Sequence, residues 1–270
     1  MINRFTPLLF LICLSFACSP ADRQRLSLTN KNSPERNKKE QLFNGQWEYD
    51  SLIRYIDTTS TLANFFSLEY SDNQQNNRSA KGKLNSKNAI IMLEMEETFS
   101  KGIQLNTQYY YSGNFLFYTH QTVKDYQKET NGFMEVFSYM GNNKKVIVSA
   151  SRIGNDEEDM LSKTPIVCKK IAFDPTEAMN LVNQQGKYET RFQGSIETEA
   201  LKFIVVGTRG NPSIQSALAY NDDFPLAKEL VANEQLYLNR RLKVEFQRVT
   251  GKNGFTYQGL TRVKLLNENE

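Results

Sequence analysis

His120 is the single histidine of this chain, and that limits the available chemistry. A metal site built on two histidines is excluded. A Ser-His-Asp triad would have to use His120, and a Cys-His pair would have to join it to Cys168. No Gly-x-Ser-x-Gly elbow accompanies it. It follows Phe115 to Thr119 on an expected strand, so the plainer reading is a surface or strand-end histidine. Carboxylates can work without histidine. Glu94, Glu96 and Glu97 fall on one expected strand, where period two puts Glu94 and Glu96 on one face and turns Glu97 away. Two acids across a cleft could hydrolyse a glycan. Like charges along one face are also the ordinary wet side of a sheet.

The other candidates for chemistry are thinner. Asn155-Asp156-Glu157-Glu158-Asp159 offers hard oxygen donors for calcium, but it lacks the alternating spacing and internal glycine of an EF-hand loop. It reads as a solvated loop. Gly207-Thr208-Arg209-Gly210 is too short to cradle a phosphate, and no paired cysteines suggest zinc. No cofactor, no metal and no enzymatic activity are expected. Cys168 lies in Ile166-Val167-Cys168 and reads as a small buried hydrophobe. The aromatics are the more interesting surface. Tyr109 and Tyr111 share a strand face, Tyr110 takes the other, and Phe115 and Phe117 share a face across the next turn. If one face is open, Tyr109, Tyr111, Phe115 and Phe117 could stack on a sugar or a peptide. The alternative is cross-strand structural pairing.

The first eighteen residues carry a different signal. Arg4 is a basic start, Phe5 to Leu14 is an apolar run too short to span a bilayer, and Leu14-Ser15-Phe16-Ala17-Cys18 ends in small residues before a cysteine. This stretch resembles the lipobox of bacterial lipoproteins. The resemblance implies removal of residues 1–17 as a signal peptide and lipidation, by palmitate among others, of Cys18. Ser19, which is not Asp, implies passage to the outer membrane by the same resemblance. The expected location is therefore the cell outer membrane, with the body facing the periplasm.

Composition sets the remaining bounds. The net charge of +3 becomes +2 once Arg4 is removed with the leader, and the basic doublets are dispersed. No nucleic-acid partner is expected. Tyr, Phe, Thr and Val favour half-buried strands, so the fold class expected is mainly β (α+β). Residues 18–44 are polar and charged and read as a flexible tether. Residues 45–173 read as an antiparallel β-meander, with Trp47 as a core anchor. Its hairpin turns fall at Ser112-Gly113-Asn114 and Gly141-Asn142-Asn143. Asp174-Pro175-Thr176-Glu177 starts a linking helix to about Gln185, with Gly186 ending it. Residues 174–270 then follow the order β-β-β-α-β-β of a small OB-like barrel, with Leu201 to Val206 central, a helix over Phe224 to Ala232 and a bulge at Gly259.

Taken together, these residues point to a membrane-anchored envelope protein that acts as a binding or structural module, its partner an envelope protein or a glycan. Two alternatives remain: a lipid-anchored glycan hydrolase using carboxylates, or a small-ligand or peptide carrier.

Overall fold

The computed structural model describes residues 41–209, 213–251 and 254–267. The leader, Cys18 and residues 18–40 of the tether lie outside the described residues. From Leu42 onward the chain is one compact unit. It opens with helix α1 (Gln46–Thr58). Strands β1 (Ala63–Phe66), β2 (Tyr70–Asp72), β3 (Asn77–Leu84), β4 (Ile90–Phe99), β5 (Ile103–Ser112), β6 (Phe115–Asp125), β7 (Phe133–Met140) and β8 (Val146–Gly154) follow. Then come α2 (Glu157–Ser162), β9 (Ile166–Cys168) and α3 (Thr176–Asn183). The last part is β10 (Arg191–Glu197), β11 (Lys202–Thr208), β12 (Ile214–Tyr220), α4 (Pro225–Ala232), α5 (Glu234–Tyr237), β13 (Leu242–Thr250) and β14 (Thr256–Leu265). The fold is mainly β. No helix among the described residues is long and apolar enough to cross a membrane.

From β3 to β9 each strand pairs antiparallel with the next, as hairpin turns dictate. The β5–β6 connection is the two-residue turn Gly113–Asn114, and Gly113 takes a φ of 60° that most side chains avoid. The sheet does not stop at residue 174. β12 is hydrogen-bonded to β2 through Ile214–Asp72 and Gln215–Ser71, so one path runs β10-β11-β12-β2-β3 and on to β9. Residues 45–173 and 174–270 thus share one sheet. They also share one core: Leu93, Met95 and Tyr109 lie in the same buried cluster as Leu181, Phe192, Ile204, Leu218 and Leu230.

The order is β-β-β-α-α-β-β, with the short α5 added to the expected single helix, and β11 lies between β10 and β12 as its apolar run requires. The closed barrel expected of an OB-like part is not formed by continuous ladders among the described residues; β14 meets β12, and the segment entering β13 meets β10, through short contacts. Ala219 pairs with Gly259 between β12 and β14, and Arg191 with Arg241 at the start of β10. The bulge expected at Gly259 lies instead where Glu245–Phe246 opposes Leu260 to Arg262.

Other expectations need correcting. Trp47 is not a core anchor; it is 60% exposed on the outer side of α1. The helix itself is legible in hindsight, since Tyr49, Leu52, Ile53 and Ile56 recur at helical spacing and pack on the sheet. The acidic run is not a loop. Asp156 caps α2 by accepting from the Asp159 amide at 2.8 Å, and Glu157, Glu158 and Asp159 fill the first turn, where the helix dipole favours anions. α3 is capped by the left-handed Gln184, two residues before the expected Gly186, which also has a positive φ of 61°. Glu177 does not reach back to the cap; it accepts from Tyr188 Oη at 2.6 Å and pairs with Lys187 at 2.5 Å. Cys168 is only half-buried, because β9 is an edge strand whose Ile166 and Val167 are exposed.

Candidate functional site

The strand register brings two rows of mostly polar side chains onto one face of the sheet. The first row is Lys81, Glu94, Gln108, His120, Phe137 and Ala150, from β3 to β8. The second is Ser79, Glu96, Asn106, Thr122, Glu135 and Arg152. Two helices border them. α1 lies over the neighbouring row Met92, Tyr110, Tyr118 and Tyr139, where Tyr110 Oη donates to Asp57 at 2.9 Å and Tyr139 Oη to Asp50 at 2.8 Å. The helix has 13 residues, about 20 Å at ~1.5 Å per residue, enough to cross from β3 to β7 at ~4.8 Å per strand. At the other border α2 packs on Gly154, and Arg152 Nη1 donates to the Leu161 carbonyl at 2.8 Å.

His120 is the hub of this strip. Its Nε2 lies 2.6 Å from Glu135 Oε1, and its Nδ1 lies 3.2 Å from Gln108 Oε1. Its ring stacks on Tyr118. Arg152 Nε donates to the second oxygen of Glu135. Burial works to raise the Glu135 pKa, but the hydrogen bonds from His120 and Arg152 outweigh it and hold the carboxyl at about 2. Nearer β3, Lys81 Nζ bridges Glu94 at 3.1 Å and Glu96 at 2.5 Å, and Asn106 donates to Glu94 at 2.5 Å. Burial opposes ionisation of Glu96 too, and Lys81 reverses it, so its pKa is lowered. Burial raises the pKa of Tyr110, Tyr118 and Tyr139 well beyond that of a free phenol, so they stay protonated. Burial also raises Asp57, against the opposing Tyr110 and Lys83.

This arrangement changes several of the residues singled out above. His120 is not a strand-end histidine but a half-buried centre of contacts. It cannot work with Cys168. Val167 is the residue in register with it through Ala150 and Phe137, so Cys168 turns to the opposite face. Three strand spacings, about 14 Å, also separate them. Glu94 and Glu96 do share a face, with Glu97 on the other side pairing with Arg78 at 3.1 Å. They stand side by side on β4 under one lysine and do not oppose each other across a cleft. Among the described residues no group of three or more His, Cys, Asp or Glu is placed to hold a metal ion.

The aromatic surface is corrected as well. Tyr109 is 5% exposed, belongs to the larger core and donates to the Asp174 carbonyl at 3.1 Å. Tyr111 packs against the same core. Phe117 is 2% exposed and Phe115 lies beside it under α1. The alternation was as expected, but both faces are covered here, so Tyr109, Tyr111, Phe115 and Phe117 present no open platform. Two hollows lie away from the strip. One of about 290 Å³ sits by the β10–β11 turn at Glu199 and Tyr220. One of about 380 Å³ has Val123, Met134 and Ile153 on its floor. Gln108, Glu135 and Arg152 were missed because nothing in their local sequence marks them; only cross-strand register joins them to His120. No protein-family model, curated protein or solved structure matches the chain.

Proposed function

We propose that this chain is a lipid-anchored protein of the cell envelope whose β body works by holding a partner and not by turning over a substrate. The anchoring half rests on the leader, in which a basic start, a short apolar run and Ala17-Cys18 resemble a lipobox. The observation that carries the binding half is the closure of the polar strip. His120 is held on both nitrogens, Glu135 on both oxygens, and Glu94 between Lys81 and Asn106. A general base or nucleophile needs a free face toward a reacting atom. Groups tied to one another are held rigid, and Lys81 and Glu96, the more exposed of them, keep donor and acceptor capacity to spare for a hydroxyl-rich glycan or the polar surface of another envelope protein. The partner's place is the strip between α1 and α2.

Mass spectrometry of the processed chain tests the anchor. The expected first residue is an acylated Cys18, and Cys18→Ala moves the protein out of the membrane fraction. A free thiol on the first residue, or a different first residue, overturns the anchor. Release of reducing ends from envelope glycans by the wild type, abolished in Glu135→Gln, overturns the non-catalytic half.

A further inference from the structure

Helix α1 buries one side and leaves another bare. Tyr49, Leu52, Ile53 and Ile56 pack on the sheet. On the outer side, Trp47 is 60% exposed and Tyr55 is 57% exposed. Ser51, Arg54 and Thr58 complete the same helical stripe, and all three are exposed. The two hydroxyls are turned back onto the helix. Ser51 Oγ donates to the Trp47 carbonyl at 2.7 Å and Thr58 Oγ1 to the Arg54 carbonyl at 2.8 Å, so neither depends on water. Arg54 is the charge on this stripe and has no ion pair among the described residues. Two of the acids of α1 are engaged elsewhere, Asp50 with Tyr139 and Asp57 with Tyr110; Glu48 flanks the stripe.

Trp and Tyr combine an apolar ring with a polar tip, and they settle at the headgroup level of bilayers. An arginine beside them complements lipid phosphates. We infer that the stripe Trp47, Arg54 and Tyr55 is a membrane-contact face that rests in the headgroup layer of the bilayer carrying the anchor. The inference rests on the anchoring reading above, since two aromatics and one cation make only a weak contact by themselves. Gln46 follows Cys18 by 28 positions (46 minus 18). A linkage of that length holds the stripe at an effective concentration on the order of millimolar near the surface, so weak intrinsic affinity is enough. The acylated protein is thereby laid against the membrane with α1 underneath.

Trp47 is the only tryptophan, so its emission reads this face alone. The measurement uses the chain with residues 1–17 replaced by a hexahistidine tag, captured on phosphatidylethanolamine–phosphatidylglycerol vesicles containing nickel-chelating lipid. The tag holds the amino terminus at the bilayer whether or not a cell acylates Cys18, so loss of the anchoring reading leaves this test intact. The expected result is a blue shift of Trp47 emission on capture and quenching of most of it by brominated lipids. Both effects fall at least twofold in Arg54→Glu and Tyr55→Ser, which are surface changes that leave the fold intact. Emission that stays at the value of the free chain, with unchanged acrylamide quenching and no effect of brominated lipid, overturns the inference. So does a full effect that both variants retain.

Discussion

Glu135 is nearly buried between a guanidinium and an imidazole, and this makes it a residue whose loss has a pH signature. Its folded pKa, about 2, lies below the ordinary value of 4.5. A group depressed on folding adds stability that is complete above its unfolded pKa and fades as pH falls through the folded one. Glu135→Gln leaves Arg152 and His120 without their anion and is expected to cost about 1–3 kcal/mol near neutral pH. The gap between wild type and variant in urea denaturation should hold steady above pH ~5 and close as pH drops toward about 2. A gap that does not depend on pH would mean that the carboxylate charge is not what the site uses. At this scale the sequence was a partial guide. A single histidine and a same-face pair of glutamates were readable from residue counts and period two. The partners of His120 were not, because Gln108 and Glu135 lie 12 and 15 positions away and meet it only through β5–β6 and β6–β7 pairing.

Helix α1 owes its seat to a small apolar patch and a few tyrosine hydroxyls. Tyr110→Phe removes the hydrogen bond to Asp57 while keeping the ring, at an expected cost of about 0.5–1.5 kcal/mol. Hydrogen exchange of the amides of residues 46–58 should speed up about two- to tenfold, with the amides of β11 unchanged. Equal acceleration everywhere would show that α1 opens only with the whole body. Elements with strong local punctuation were legible. The Gly113–Asn114 hairpin, α4 behind its Pro225, and β13 with Leu242 and Val244 inward all follow from turn chemistry and periodicity. The helical period of α1 is hard to separate from the polar stretch before it, and residue type alone points Trp47 to the core when its helical position puts it outside. The aromatics of β5 and β6 show the opposite limit. Period two assigns their faces, but it cannot reveal that α1 covers one face and the main core the other.

One sheet and one main core join the two parts of the chain, so the molecule should unfold as a unit. Leu218 on β12 is fully buried in the same cluster as Leu93 on β4. Leu218→Ala should cost about 2–5 kcal/mol, and far-UV and near-UV circular dichroism should still report coincident transitions. Two separated transitions, with only the second lowered, would show that residues 174–270 stand alone. That union was not readable in advance, because a helix such as α3 marks a connection in sequence without saying whether the strands on either side pair. The latch is short: Ile214 with Asp72 and Gln215 with Ser71. It also imposes a timetable. A chain emerging amino end first presents Asp72 142 residues before its mate Ile214 (214 minus 72), so the meander waits through half of synthesis with a bare, adhesive border. Until Ile214 and Gln215 arrive, residues 70–72 are an unpaired strand edge on that side.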